Sequence, residues 1–202
     1  MRGLHNLERG FFPAANDYGF PELEAVPALP VLPDVISWYS FPDRNKVELY
    51  GSSGLHFFCD DFVFENVWKQ PTRYIELFKV FGCIVQPDYS LYYDMPVALQ
   101  IFNKYRNHWL SRYFSFYGVN VIPNINVSTP DCWEWSFLGY PKNSVVAFSD
   151  IGSVQLKSDR EVLHKAYDQM IKVLDPVQIL YFTRNRDSAP AETVPIQINF
   201  GK

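Results

Sequence analysis

The 202-residue sequence is short of positive charge, of cysteine and of long apolar segments. Eighteen Lys and Arg stand against 22 Asp and Glu, so the net charge is −4 and no overall positive field attracts nucleic acid. The cysteines, Cys59, Cys83 and Cys132, lack the paired spacing of a metal site, and two of them fall in predicted buried strands. No signal-peptide pattern is present at the start, and no apolar run is long enough to span a bilayer. We therefore expect a cytoplasmic protein without membrane contact.

Sequence motifs for cofactors and metals are also missing. The chain has no G-x-G-x-x-G, no Walker A loop, no H-E-x-x-H and no C-x-x-C, and it has neither a G-x-S-x-G elbow nor a kinase signature. Its four histidines, at positions 5, 56, 108 and 164, are scattered along the sequence. We expect no cofactor and no bound metal, with a metal held by carboxylates alone as the alternative.

Aromatic residues are abundant. They make up 17% of the chain, while the hydrophobic share of 48% and the charged share of 20% are ordinary for a soluble globular protein. The rings can fill a core, or they can form stacking surfaces for planar ligands such as bases and sugars.

Three segments are predicted along the chain. Residues 1–34 contain five closely spaced prolines with apolar residues between them, which favours an extended arm packed on the domain. Residues 35–184 are long enough to form one α/β domain with a full core. Residues 185–202, with Pro190 and Pro195, are expected to be a partly ordered tail.

Four apolar runs each end in a carboxylate or a carboxamide, and three of them are followed by helical patterns. The runs are residues 55–61, 83–90, 119–126 and 144–152. This alternation is typical of repeated βα units with parallel strands. Helices are expected at 64–81 with a break at Pro71, at 96–117 and at 159–174, and further strands at 34–39 and 177–182.

About six mainly parallel strands fall short of a complete eight-unit barrel, which typically needs about 250 residues. The predicted fold is a single α/β domain that resembles a truncated or distorted TIM barrel. The alternative is an open doubly wound sheet.

The predicted catalytic residues lie where strands end, because the carboxyl ends of parallel strands meet at the edge where substrates bind. Asp88 is the leading candidate, since Pro87 interrupts the strand before it. Its carboxylate could act as a nucleophile or a general base, or belong to a polar turn. Asp60 and Asp61 end an earlier run. Neighbouring strand residues point to opposite faces, so one should face the site and the other should cap the next helix.

Other polar and aromatic residues could bind the substrate at the same edge. Asn124 and Asn126 share one strand face, and carboxamides suit base edges or sugar hydroxyls. The following tryptophans could form a lid over a planar ligand or one edge of the core. The predicted binding residues are Tyr89, Ser90, Asn103, Arg106, Asn124, Asn126, Trp133, Trp135 and Asp150.

The predicted helix 96–117 carries basic residues and no acidic one. Lys104, His108 and Arg112, with Arg106, could form a basic aromatic face that holds a phosphate backbone. A solvated helix face with its rings in the core is the alternative. The apolar face of this helix is expected to contain Leu99, Phe102, Trp109, Tyr113 and Phe116.

These motifs resemble a family of uncharacterised proteins from bacteria, phages and mobile elements. The similarity lies in residues 55–68, Pro87-Asp-Tyr-Ser-Leu-Tyr-x-Asp-Met-Pro96, Gln100-Ile-x-Asn-x-Tyr-Arg106, Val121-Ile-Pro123 and residues 139–147, and it covers roughly residues 20–182. The resemblance implies one fold unit and a setting in phages or mobile elements. It implies no particular activity.

At the level of fold alone, the chain is also similar to barrel enzymes of the tRNA-guanine transglycosylase type. That similarity implies a strand-end Asp, here Asp88, as nucleophile or oxocarbenium stabiliser, with Asp60 or Asp61 as partner. The chain is shorter than those enzymes and lacks their cysteine-rich zinc site. The leading hypothesis is a hydrolase of the N-glycosidic bond of a nucleobase in DNA, like a DNA glycosylase, with a modified base as a candidate substrate and phage defence or phage and mobile-element conflict as the candidate setting. The alternatives are a non-catalytic module that binds nucleic acid or protein, and a carboxylate-dependent nucleotide or sugar hydrolase.

Overall fold

The structure, a computed structural model, describes residues 10–30, 34–37, 51–152 and 157–198, without the side chains of residues 35, 36 and 157–159. The strands are β1 Asp34–Ser37, β2 Ser53–His56, β3 Cys83–Val85, β4 Val121–Ile122, β5 Val145–Ser149, β6 Gln178–Thr183 and β7 Val194–Gln197. The α-helices are α1 Asp61–Lys69, α2 Ile75–Phe78, α3 Val97–Phe116, α4 Trp133–Ser136 and α5 Lys157–Leu174. None of the described helices is both long and apolar enough to cross a membrane.

The seven strands are parallel and follow one another across the sheet in the order of the chain. β1 to β4 form one ladder series and β5 to β7 another. A parallel bridge between Asn124 and Ala147 connects the two series, and the Ala147 N–H donates to Pro123 O at 2.7 Å. This sequential order is the order of a barrel, although no ladder between β7 and β1 closes the sheet among the described strands.

Contacts between distant strands show that the sheet is strongly curled. The rings of Phe58, just after β2, and Phe182, in β6, are 4.8 Å apart, and His56 lies 5.9 Å from Phe182. Three strands separate β2 from β6, so a flat sheet would place them about 19 Å apart at its usual strand spacing. The sheet therefore wraps around an inner cluster of apolar side chains.

The two faces of the sheet bury different clusters. Val85, Ile122 and Leu180 point inward with Phe182, while their neighbours Ile84 and Val121 pack outward against α1, α2 and α3. The outer side chains of β5 and β6 pack against α5 in the same way. The prediction of a single α/β domain with parallel strands is confirmed. The sheet is open, as in the doubly wound alternative, and it has the curl and sequential strand order of a barrel.

Local sequence signals explain the helix boundaries. Pro71 cannot continue α1 because it has no N–H, so the segment changes to a 3₁₀ helix at Pro71–Tyr74 before α2, and the predicted break is confirmed. Gly118, with φ +85°, takes the left-handed conformation that closes α3.

The predicted apolar face of α3 is wrong in its first half. Leu99 and Phe102 are exposed, as is Phe116 at the far end, whereas Trp109 and Tyr113 are buried as expected. The first half instead buries polar side chains: Gln100, Asn103, Lys104, Asn107 and His108. The reason is that this half packs on the polar loop after β3 rather than on the apolar sheet.

Within the N-terminal segment, the described residues 10–30 pack on the rest of the chain. Val145 N–H donates to Val26 O at 2.8 Å, and Leu23 N–H donates to Gly139 O at 2.9 Å. Phe20 is fully buried. Residues 1–9 and 31–33 of the predicted arm, and residues 38–39 of the predicted first strand, lie outside the described part of the chain.

The predicted partly ordered tail instead contains a seventh strand. β7 pairs in parallel with β6, with Pro195 opposite Tyr181, and a 3₁₀ helix at Arg186–Ser188 precedes it. Proline is tolerated because β7 is the last described strand of the sheet and pairs only with β6. The sequence pattern did not predict this four-residue strand, because Pro190 and Pro195 are typical of an irregular segment.

Candidate active site at the carboxyl ends of β2, β3 and β4

The centre of the site is the Asp88 carboxylate, which follows β3. Asn124 Nδ2 and Asn126 Nδ2 donate hydrogen bonds to the same oxygen, Asp88 Oδ1, at 2.8 and 2.7 Å. The other oxygen, Oδ2, has no hydrogen-bond partner among the described residues. One oxygen is thus fixed by two carboxamides, and the other is left for a ligand.

Burial raises the pKa of Asp88 from its ordinary value of 3.8 to about 7, and the negative charge of Asp61 adds to this effect. The hydrogen bonds from Asn126 and Asn124 act in the opposite direction, because they stabilise the ionised form. A carboxyl group with this pKa can hold or release a proton near neutral pH, as a general acid or base must.

The second carboxylate of the site is Asp61, in the first turn of α1. Ser90 donates to it through its hydroxyl at 2.9 Å and through its backbone N–H at 3.2 Å. Burial raises the pKa of Asp61, while the Ser90 hydrogen bonds and the charge of Arg106 oppose this rise. Asp60 is exposed and lies at the N-cap position of α1, where its side chain makes no capping hydrogen bond. Asp61 is therefore the member of the pair that faces Asp88.

Side chains from α3 and from the segment after β4 hold the loop at residues 88–90 in place. Asn107 of α3 accepts from Tyr89 N–H at 2.8 Å and donates to Tyr89 O at 3.2 Å. Asn103 Nδ2 donates to Ser90 O at 2.7 Å, and Asn126 Nδ2 also reaches Tyr89 O. This clamp positions Asp88 before any ligand binds, which favours catalysis by a fixed group.

Arg106 also supports the loop at residues 88–90. Its guanidinium stacks 3.5 Å from the centroid of the Tyr89 ring, pairs with Glu65 at 3.1 Å and donates to Asn103 Oδ1 at 2.5 Å. Only 12% of its side chain is exposed. Arg106 therefore has a positioning role in the structure, and its partners leave it little freedom to bind a phosphate.

The predicted basic face on α3 is wrong for Lys104 and His108, because both are fully buried. Lys104 Nζ donates to Ser136 O at 2.6 Å and lies 3.6 Å from the centroid of the Tyr140 ring. Burial lowers the pKa values of both Lys104 and His108 well below their ordinary values. Arg112 is partly exposed, but it pairs with Glu24 at 2.6 Å.

Three other predicted binding residues lie apart from Asp88 and its hydrogen-bond partners. Trp135 is buried in a cluster with Phe20, and Trp133 packs against the cluster between the sheet and α5, so they do not form the predicted lid. Asp150, which directly follows β5, accepts from Thr183 Oγ1, at the end of β6, at 2.8 Å. The predicted lid is corrected because the two tryptophans lie on a buried helical turn. The predicted binding role of Asp150 is corrected because its carboxylate is already hydrogen-bonded to Thr183.

Four residues of the site were not among the predicted ones. Asn107 holds the loop, and Glu65 holds Arg106. Gln86 Oε1 accepts from Asn124 N–H at 2.9 Å, and Tyr140 donates to Asn124 O at 2.5 Å. Asn107 lies four residues after Asn103, so helical spacing could have placed both on one face. No local pattern marks Glu65, Gln86 or Tyr140, whose partners are distant in the sequence.

The groups at this edge that could act as metal ligands are carboxylates and carboxamides. Oxygen ligands of this kind suit hard cations, but among the described residues no three His, Cys, Asp or Glu side chains come together as a possible metal site. The thiol of Cys59, whose pKa is raised by burial and by the nearby aspartates to about 12, stays protonated. Acid–base chemistry by Asp88 next to the charge of Asp61 is the chemistry that the geometry offers.

Comparisons with known proteins show that the chain is similar to phage proteins. A family model described as "Domain of unknown function (DUF4417)" matches residues 12–200. The gene 1 proteins of Mycobacterium phages D29 and L5 are 30% and 31% identical to it over 175 residues, or 87% of this chain. The chain spans 64% of the D29 protein, which is just under two thirds, and 75% of the L5 protein. No solved structure matches the chain.

Proposed function

This chain belongs to the family described as domain of unknown function DUF4417, and for it we propose hydrolysis of the N-glycosidic bond of a nucleobase. The observation that carries the proposal is the state of Asp88: one oxygen fixed by two carboxamides, the other free, and a pKa raised to about 7 at the carboxyl ends of parallel strands. The phage relatives support the expected setting in phages or mobile elements.

Asp88 has the acid–base role in this proposal. Protonated Asp88 gives its proton to the leaving base as the bond between the sugar carbon C1′ and the base nitrogen breaks. The ionised Asp88 then takes a proton from the water that attacks C1′, so one water is consumed and the products are the free base and the sugar hydroxyl. The Asp61 carboxylate stabilises the positive charge that develops on the sugar. The raised pKa favours this role over that of a nucleophile, which the sequence left open beside that of a general base.

The test is release of free base by the purified protein. Nucleosides and normal or modified phage DNA are incubated with it, and products are followed by chromatography and by alkali cleavage at abasic sites. Asp88→Asn should reduce the rate by at least about 100-fold, the usual contribution of a general acid or base. Asp168→Asn, an exposed carboxylate on α5, is the matched control and should have no effect.

Three results would contradict the proposal. Absence of base release from every substrate would leave the binding module as the better account of the same groups. Full activity of Asp88→Asn would remove Asp88 from the chemistry. A strong effect of added chelator would favour the carboxylate-dependent metal hydrolase.

A further inference from the structure

Two buried carboxamide atoms near Asp88 have no hydrogen-bond partner in the described structure: the acceptor Asn124 Oδ1 and the donor Gln86 Nε2. Asn124 and Asn126 turn their Nδ2 atoms toward Asp88, which leaves the Oδ1 atom of each carboxamide for another partner. Asn124 is only 3% exposed, and its Oδ1 is buried with no hydrogen-bond partner in the described structure. A buried acceptor without a partner is rare in folded proteins, so a ligand that donates to it would complete the site.

A set of exposed apolar side chains, here called the apolar rim, lies on the segments that carry Asp61 and Ser90 and on the first turns of α3. Six of the eleven large apolar side chains that are exposed among the described residues belong to it: Phe62, Tyr92, Tyr93, Val97, Leu99 and Phe102. The hydrogen bonds from Ser90 to Asp61 and from Asn103 to Ser90 bring their segments together. A concentration of exposed rings near a polar cluster is typical of a surface that contacts a planar ligand.

The charges at the same edge are negative. Asp60 and Asp94 are exposed, and Asp61 and Glu65 are partly exposed. The cation Arg106 is already held by Glu65 and Asn103. Proteins that grip a nucleic-acid strand through stacked bases combine the rings with a positive groove, which the described part of this edge does not provide.

From the acceptors, the rings and the charges together, we infer that the substrate is an unphosphorylated nucleoside rather than a nucleotide or a DNA strand. The base lies against the apolar rim and donates hydrogen bonds to Asn124 Oδ1 and Asn126 Oδ1. A phosphate at this edge is repelled by Asp60, Asp61 and Asp94. This inference rests on the proposed function for its choice of nucleoside.

The first test is binding of the four ribonucleosides, of their 5′-monophosphates and of short single-stranded oligonucleotides, measured by calorimetry at low salt. The best nucleoside should bind at least about tenfold more tightly than its monophosphate, which is the size of effect that a few partly screened charges produce. Added salt should reduce this preference, and so should the double variant Asp60→Asn with Asp94→Asn. Asp168→Asn should leave it unchanged.

The second test is the apolar rim itself. Phe62→Ala and Tyr93→Ala, which truncate side chains that are 77% and 79% exposed, should each weaken nucleoside binding at least about fivefold without affecting the fold. Phe116→Ala, which truncates a ring that is 67% exposed at the far end of α3, is the control and should bind normally.

The outcomes separate this inference from the proposed function. Nucleoside-selective binding without base release would support the inference and contradict the hydrolase. Faster base release from DNA than from nucleosides would support the hydrolase and overturn the inference. The inference is also overturned if monophosphates bind as well as nucleosides, if the rim variants bind normally, or if no nucleoside binds.

Discussion

Replacing Asp88 by Asn should change how the free energy of unfolding depends on pH. The pKa of Asp88 is raised from 3.8 to about 7 in the folded protein, whereas in the unfolded chain it has its ordinary value. The folded state therefore prefers the protonated carboxyl. Its stabilising contribution is full below pH 4 and is lost as the pH rises to 7, above which the loss is complete.

The shift of about three pKa units corresponds to about 4 kcal/mol, at about 1.4 kcal/mol per unit. The wild-type protein should thus lose up to about 4 kcal/mol more than Asp88→Asn between pH 4 and pH 8. A constant difference caused by the new carboxamide cancels, because each protein is compared with itself at the two pH values.

Urea unfolding at pH 4, 6 and 8 measures this difference, with Asp168→Asn as the control for loss of an exposed carboxylate. The control should follow the wild-type pH dependence. The reasoning is refuted if the wild type and Asp88→Asn change in parallel from pH 4 to pH 8, since Asp88 would then titrate near its ordinary pKa in the folded protein.

Three further predictions concern the residues behind the site, each measured by urea unfolding. Arg106→Gln should lower the free energy of unfolding by about 1–3 kcal/mol, because it removes buried, charge-assisted hydrogen bonds. Arg112→Gln, which loses an exposed ion pair, should change the free energy of unfolding by less than about 1 kcal/mol. Equal effects of the two would contradict the positioning role. Tyr140→Phe should destabilise by about 1 kcal/mol through loss of the hydrogen bond to Asn124 O, and unchanged stability would count against that bond. Burial lowers the pKa of Lys104, so wild-type stability should rise from pH 7 to pH 9 relative to Lys104→Met; identical pH dependence would show that Lys104 remains charged.

The strand-end residues of the site could be predicted from the sequence because their signals are local. Asp88, Asn124 and Asn126 each follow a short apolar run, and parallel strands bring such positions to one edge. Their hydrogen bonds at 2.7 and 2.8 Å place them together as the hypothesis required. The sequence did not reveal which of Asp60 and Asp61 faces the site, because that depends on where α1 begins.

Asn103 and Arg106 of α3 were predicted as site residues, but the burial of the polar side chains of α3 was not, because α3 reverses the usual rule of helix burial. Periodicity assigns Leu99 and Phe102 to the core, but these residues are exposed while Asn103 and Asn107 are buried. The polar side chains are buried because they satisfy the backbone of the loop at Tyr89 and Ser90. That loop lies about 15 positions before Asn103 and Asn107 in the sequence, so only the folded chain shows that it is their partner.

The central claim is that Asp88 is a carboxyl group poised to exchange a proton near neutral pH. The most direct measurement is a ¹³C NMR titration of the side-chain carboxyl carbon of Asp88, assigned by its absence in Asp88→Asn. A midpoint of about 7 is the predicted result. A midpoint near 4, the ordinary value of an exposed aspartate, would contradict the claim.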